Sequence, residues 1–162
     1  MEIKKLDPGF YAIDPAKGRK YEDIAYVFAL IYNVLQTRVG HYLARYDLSI
    51  VQFNLLMLIA YFNQGKGLKQ VEISKHLIVS TSNITKLVEK SVQAGLLTRQ
   101  TNPQSRRENI ICITKKGQKL VDRVWPGYDA LARTLTEKIP AKNRPQMEQI
   151  LKNWLLELQQ EK

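Results

Sequence analysis

The stretch that most constrains this sequence is residues 79–113, where a helical pattern with end signals stops at a glycine and gives way to two short strand-forming runs. Ser80 stands as N-cap, and Val79 and Ile84 are placed as a hydrophobic staple. Ile84, Leu87, Val88 and Val92 turn inward, and Gly95 falls where a C′ glycine closes a helix. Leu96-Leu97-Thr98-Arg99-Gln100 and Asn109-Ile110-Ile111-Cys112-Ile113 then read as strands. They flank Thr101-Asn102-Pro103-Gln104-Ser105-Arg106-Arg107-Glu108, a hairpin with a polar, cationic tip. Upstream, Gly65-Lys66-Gly67 breaks the chain, and Leu68 with Ile73 staples a short helix expected from Gln70 to Leu77, with Lys69 a poor N-cap. Two short helices joined by a tight turn and followed by a basic hairpin have the order of a winged helix-turn-helix.

The flanks are helical. Residues 1–19 contain Pro8, Gly9, Pro15 and Gly18 and read as an extended arm. From about Tyr21, the residues Ile24, Phe28, Ile31, Leu35, Val39 and Tyr42 recur at intervals of three and four, and Val27 and Val34 widen the stripe. Ser49 with Gln52 forms a capping box and Leu48 with Phe53 a staple, which start a second helix running to about Phe62. After the hairpin a helix from near Lys115 carries Leu120, Val121 and Val124, with a kink expected at Pro126-Gly127. A last helix from roughly Asn143 aligns Met147, Ile150, Leu151, Trp154 and Leu158. The expected class is mainly α with a small β-wing, in a chain of 162 residues that is too short for two large independent domains.

Charge is unevenly placed. Residues 1–63 carry seven basic and six acidic groups, residues 64–117 ten and three, and residues 118–162 eight and six. The positive field therefore belongs to the middle third, where it suits a polyanion that releases counterions on contact. On the candidate recognition helix the outward face holds Thr81, Ser82, Asn83, Thr85, Lys86, Glu89 and Lys90. Asn bonds two base-edge atoms, hydroxyls donate to phosphate or base, and helix N-terminal amides favour a phosphate. Arg106 and Arg107 are neighbours at the wing tip, and adjacent strand residues point to opposite sides, so one reaches DNA while the other braces the hairpin. Arginine's flat, weakly hydrated guanidinium suits a narrow minor groove. A plainer reading, a solvated basic face, accounts for each half separately but not for their combination.

Taken together, these residues resemble the multiple-antibiotic-resistance-regulator (MarR) family of transcription factors, over roughly residues 21–160. The family's wing signature, D-x-R, five residues, then L-T-x-x-G, is similar to Ser105-Arg106-Arg107, five residues, then Ile113-Thr114-Lys115-Lys116-Gly117; the spacing is kept but Asp has become Ser. The run Val79-Ser80-Thr81-Ser82-Asn83-Ile84-Thr85-Lys86-Leu87-Val88, followed by Gly95-Leu96-Leu97-Thr98-Arg99, resembles the family's recognition helix and first wing strand. The resemblance implies a homodimer whose terminal helices interlock, on a pseudo-palindromic double-stranded DNA operator. Residues 1–19 are then an arm, 20–47 and 115–162 the helical dimerisation region, and 48–114 the DNA-binding module. The implied DNA-facing set is Ser80, Thr81, Ser82, Asn83, Thr85, Lys86, Lys90, Arg99, Arg106 and Arg107. Broad apolar stripes on the first and last helices point the same way, because a chain this short can hardly bury them alone.

Family members commonly release DNA when a small, often phenolic or otherwise aromatic, molecule enters the crevice between dimer helices and winged module, or when a cysteine is oxidised. Tyr32, His41, Tyr42, Tyr46 and Phe53 are candidates to line such a crevice, set against the plainer expectation that aromatic residues at helical spacing pack the core. Cys112, mid-strand in the wing, is expected to be a buried, inert thiol rather than a redox switch. One cysteine and two histidines form no usual zinc set, so neither metal nor cofactor is expected. The lone cysteine fits a reducing, cytoplasmic setting, and neither a leader-like segment nor a membrane span is expected. No phosphate loop, carboxylate pair or activated nucleophile suggests an enzyme. The competing reading is a winged-helix protein-interaction module without sequence-specific DNA binding.

Overall fold

A computed structural model describes residues 20–62, 66–77, 81–102 and 105–160 of the chain. Helix α1 (Lys20–Ala44) leads into α2 (Ile50–Tyr61), then come β1 (Leu68–Lys69), α3 (Gln70–Leu77), α4 (Thr81–Gln93), β2 (Leu97–Asn102) and β3 (Ser105–Ile113). The long helix α5 (Lys115–Thr136) follows, and a 3-10 turn (Ala141–Asn143) hands over to α6 (Arg144–Gln160). The expected arm, the Ser80 cap with its Val79 staple partner, and the turn residues Pro103 and Gln104 lie outside the described residues.

Local chemistry explains the boundaries. After α1, Asp47 adopts a left-handed conformation (φ +55°), and the Leu48 amide reaches back to the Leu43 carbonyl at 3.2 Å. This six-to-one closure sets Leu48 against the helix it has just left. Ser49 then caps α2, its hydroxyl accepting the Gln52 amide at 3.2 Å. For α3 the poor cap is offset from the other side: the Glu72 carboxylate accepts the Lys69 amide at 2.7 Å, half of a capping box.

The sheet order is β1-β3-β2, antiparallel throughout. Strand β1 adds a lateral pairing beyond the expected hairpin, with Leu68 opposite Ile111. Gly67 makes that approach possible, because it sits at φ +83° and a Cβ there would lie 2.6 Å from both Cys112 Sγ and Ile110 Cγ2. Around the sheet, Phe53, Leu56 and Ile59 of α2, Ile73 of α3, Ile84 and Val88 of α4, and Val121 and Val124 of α5 form one buried core. Pro126 sits inside α5 without ending it.

Outside that core the packing changes. None of the residues of α6 is buried, and α1 from Ile24 to Leu35 is similarly open: Ile24 is 62% and Ile150 57% exposed. Phe28 and Trp154 meet edge to face at 5.2 Å, and Val27, Ile31, Met147 and Leu151 help to line a groove of about 590 Å³ between the two helices.

Candidate nucleic-acid interface

Helix α4 is two-faced because of its sequence period. Ile84 and Val88 are fully buried, Leu87 and Val92 pack against the core, and the buried Ser91 hydroxyl donates to the Leu87 carbonyl at 2.9 Å. Asn83, Thr85, Lys86, Glu89 and Lys90 are exposed on the other side, and Thr81 and Ser82 belong to the first turn. One of these outward groups is already engaged: Gln70 Nε2 of α3 donates to Thr85 Oγ1 at 2.6 Å. This bond ties the two helices of the helix-turn-helix across their solvent side, a contact that sequence spacing alone does not reveal.

The wing departs from the expected regular hairpin. Leu97 faces Ile113 and Thr101 faces Asn109 in step, but the next residue on β2, Asn102, faces Ser105. Residues 106–108 are therefore extra on β3, a bulge that bends the strand and ends the simple alternation of sides. The backbones of Arg106 and Arg107 lie in this bulge rather than in a wide turn. Arg99 is exposed on β2, opposite Ile111.

Helix, wing and α5 meet in one clasp. The Gly95 and Leu96 amides return to the Val92 and Ser91 carbonyls at 2.9 Å each, with Gly95 at φ +71°, which closes α4 as its glycine suggested. Thr114 Oγ1 donates to the Gly95 carbonyl at 2.7 Å and accepts the Gly117 amide at 3.0 Å, so a single side chain caps α5 and holds the end of α4. A Cβ on Gly117 would stand 2.2 Å from the Leu96 carbonyl oxygen, which restricts that position to glycine. Lys116 Nζ adds a 2.7 Å bond to the Ala94 carbonyl, a cation at the negative end of α4.

Residues 48–109 match the model described as the MarR family. Over that segment the chain carries the MarR family's pattern. It is 33% identical over 95 residues to the HTH-type transcriptional regulator YdcH of Bacillus subtilis (strain 168), covering 56% of this chain and 63% of that relative, slightly less than two thirds of its length. Among solved structures it resembles Staphylococcus aureus MepR in complex with DNA, with a TM-score of 0.74, 25% identity, and coverage of 83% of this chain and 95% of MepR. It also resembles CouR from Rhodococcus jostii RHA1 bound to p-coumaroyl-CoA, with a TM-score of 0.71, 25% identity, and coverage of 81% and 90%.

Within this MarR-family fold, the Thr and Gly of the I-T-x-x-G run are the two halves of the clasp. The aromatic candidates separate. Phe53 is buried against Tyr128 with ring centres 4.9 Å apart, Tyr42 is buried beside the half-buried Tyr46, and Tyr32 is exposed along α1. His41 and Tyr42 line a cleft of about 670 Å³ with Arg38, Arg45, Gly127 and Leu131, and the Arg45 guanidinium lies 4.5 Å from the centre of the Tyr42 ring. Cys112 is half-buried with Sγ 4.0 Å from the Lys66 carbonyl, and burial pushes its thiol pKa up, away from a reactive thiolate. Among the described residues no group of three or more His, Cys, Asp or Glu is placed to hold a metal, and no helix is long and apolar enough to cross a membrane.

Sequence reasoning passed over a second cationic surface. Lys115, Lys116, Lys119 and Arg123 of α5, with Leu96 and Leu120, line a cleft of about 560 Å³. Its mark in the sequence is the run of basic residues along the first turns of α5, which alternates with the apolar residues Leu120, Val121 and Val124.

Proposed function

We propose that this MarR-family protein is a dimeric, sequence-specific DNA-binding transcriptional regulator, a ligand-responsive repressor acting in the cytoplasm. The observation that carries the reading is α4 itself: a helix anchored by a buried apolar face, clasped at its C-terminal end to the wing and α5, with Asn83, Lys86 and Lys90 turned outward. Such a helix fits the major groove, Asn83 reading base edges and the lysines meeting phosphates. Ser80, Thr81, Ser82 and Thr85 complete the helix contribution, and Arg99, Arg106 and Arg107 the wing. MepR, solved with DNA, supports the same use of the fold here.

Residues 48–114 form the DNA-binding module, residues 20–47 and 115–162 join two copies, and residues 1–19 are an arm. The exposed apolar rows of α1 and α6 support the dimer, which places two recognition helices roughly 34 Å apart on a pseudo-palindromic operator. The cleft at Arg38, His41, Tyr42 and Arg45 supports a small aromatic effector, its cations suiting an acidic group; CouR, solved with an aromatic acyl thioester, supports the analogy. Of the other candidates, Tyr46 packs beside Tyr42 with ring centres 5.5 Å apart, and neither Phe53 nor Tyr32 lines this cleft.

Selection of bound sites from random duplexes, followed by affinity measurements across a salt series, tests this reading. The expected result is a two-fold symmetric consensus with affinity that falls steeply with salt. Equal affinity for every duplex overturns it and favours a protein-interaction module.

A further inference from the structure

Helix α5 is continuous from Lys115 to Thr136 but carries one weak level. Pro126 has no amide hydrogen, so the Asp122 carbonyl lacks the partner a regular helix would supply. Beside it the Tyr42 hydroxyl, from an element 82 residues earlier, donates to the Val124 carbonyl at 2.7 Å. The hydroxyl thus grips the backbone of α5 two residues before its proline, and helices bend at prolines. Gly127 makes the space: a Cβ there would fall 2.3 Å from the Tyr42 oxygen. Burial pushes the Tyr42 pKa up to about 12, so the phenol keeps its proton at ordinary pH.

The two sides of this level differ in their attachments. Before it, Gly117, Val121 and Val124 are buried against the winged module; beyond it only the half-buried Tyr128 and Leu131 reach the core, and α5 runs on to Thr136 and leads to α6. We propose that the Tyr42 hydroxyl, bonded to the Val124 carbonyl beside Pro126 and Gly127, is the positioning contact of a pivot that sets the direction of the C-terminal half of α5 relative to the winged module. Tyr42 and Gly127 also form part of the cleft proposed above for the effector, and Arg45, another of its cations, lies over the Tyr42 ring. A ligand drawing on Arg45 therefore acts where the helix direction is decided. This last step rests on the regulator reading; the pivot itself does not.

The test is a distance. Spin labels at Gln93→Cys, the end of α4, and Glu137→Cys, the end of α5, are introduced with Cys112→Ala, and labelled chain is diluted with unlabelled chain so that only pairs within one chain count. Ten residues of helix beyond Gly127 reach about 15 Å, so a change of direction of about 20° moves the far label by roughly 5 Å. Tyr42→Phe keeps the ring but removes the bond to the Val124 carbonyl, and it is expected to shift the distance by that order. Gly127→Ala, which drives the hydroxyl out by contact, is the second variant and is expected to shift it too, the double variant changing less than the sum of the two. Folded variants whose distance distributions superimpose on that of the parent overturn the pivot. Random-duplex selection run alongside is expected to show an altered half-site separation for Tyr42→Phe. A parent protein that selects no site refutes the regulator instead, and the distances still decide the pivot.

Discussion

The winged module and the terminal helices obey the same sequence grammar and reach opposite ends. In the module, apolar residues at helical spacing find partners within the chain: Phe53, Leu56, Ile73, Ile84, Val88 and Ile111 retain at most 1% of their accessible surface. In α6 an equally regular row, Met147, Ile150, Leu151 and Leu158, stays at 40% exposed or more. Periodicity specifies which face of a helix is apolar but not whether the cover comes from the same chain. The contrast teaches that the module covers its apolar residues with its own chain, whereas α1 and α6 leave theirs uncovered, as the proposed association would require.

Breaking the module should have the largest effect. Phe53→Ala removes a fully buried ring that also contacts Tyr128, and it is expected to cost about 3–5 kcal/mol of unfolding free energy in denaturant titrations. The matching cut in the other region, Leu151→Asp, should leave the module's secondary structure intact by circular dichroism while converting dimer to monomer in sedimentation. Operator affinity should drop about 100-fold, or roughly 2.7 kcal/mol. An intact, tightly binding dimer from that variant would erase the distinction between the regions. Within the module's outer face, Asn83→Ala should relax base preference at one position per half-site by about 1–3 kcal/mol, whereas Arg107→Ala should weaken all duplexes alike and reduce the salt slope by about one charge per subunit. The smallest effect joins the two regions. Because the folded pKa of Tyr42 is raised from 10.0 to about 12, its contribution is intact below pH 10 and lost as pH rises towards 12, and Tyr42→Phe should flatten stability across that window.

Most element boundaries were legible because they depend on neighbours a few residues apart. The Ser49 cap, the helix over Gln70–Leu77 and the closure at Gly95 all appear where local signals put them. Three features were not. Strand β1 is two residues long and has no period to detect; its mark is Gly67, which reads as a chain break until the close approach to Cys112 is known. The wing strands run further than their apolar residues because polar positions such as Thr101 and Asn102 are held by backbone pairing, which composition does not register. In the candidate site, the outward residues of α4 were readable from the helical period, but the Gln70–Thr85 and Tyr42–Val124 bonds join residues 15 and 82 apart, and only the fold brings them together.

The Thr114 hydroxyl and the Gly117 backbone draw the end of one helix and the start of another within hydrogen-bonding reach. A joint this close ties the first turns of α5 to the end of α4, so a displacement of one is handed to the other, while the proposed bend at Pro126 lies further along the shaft.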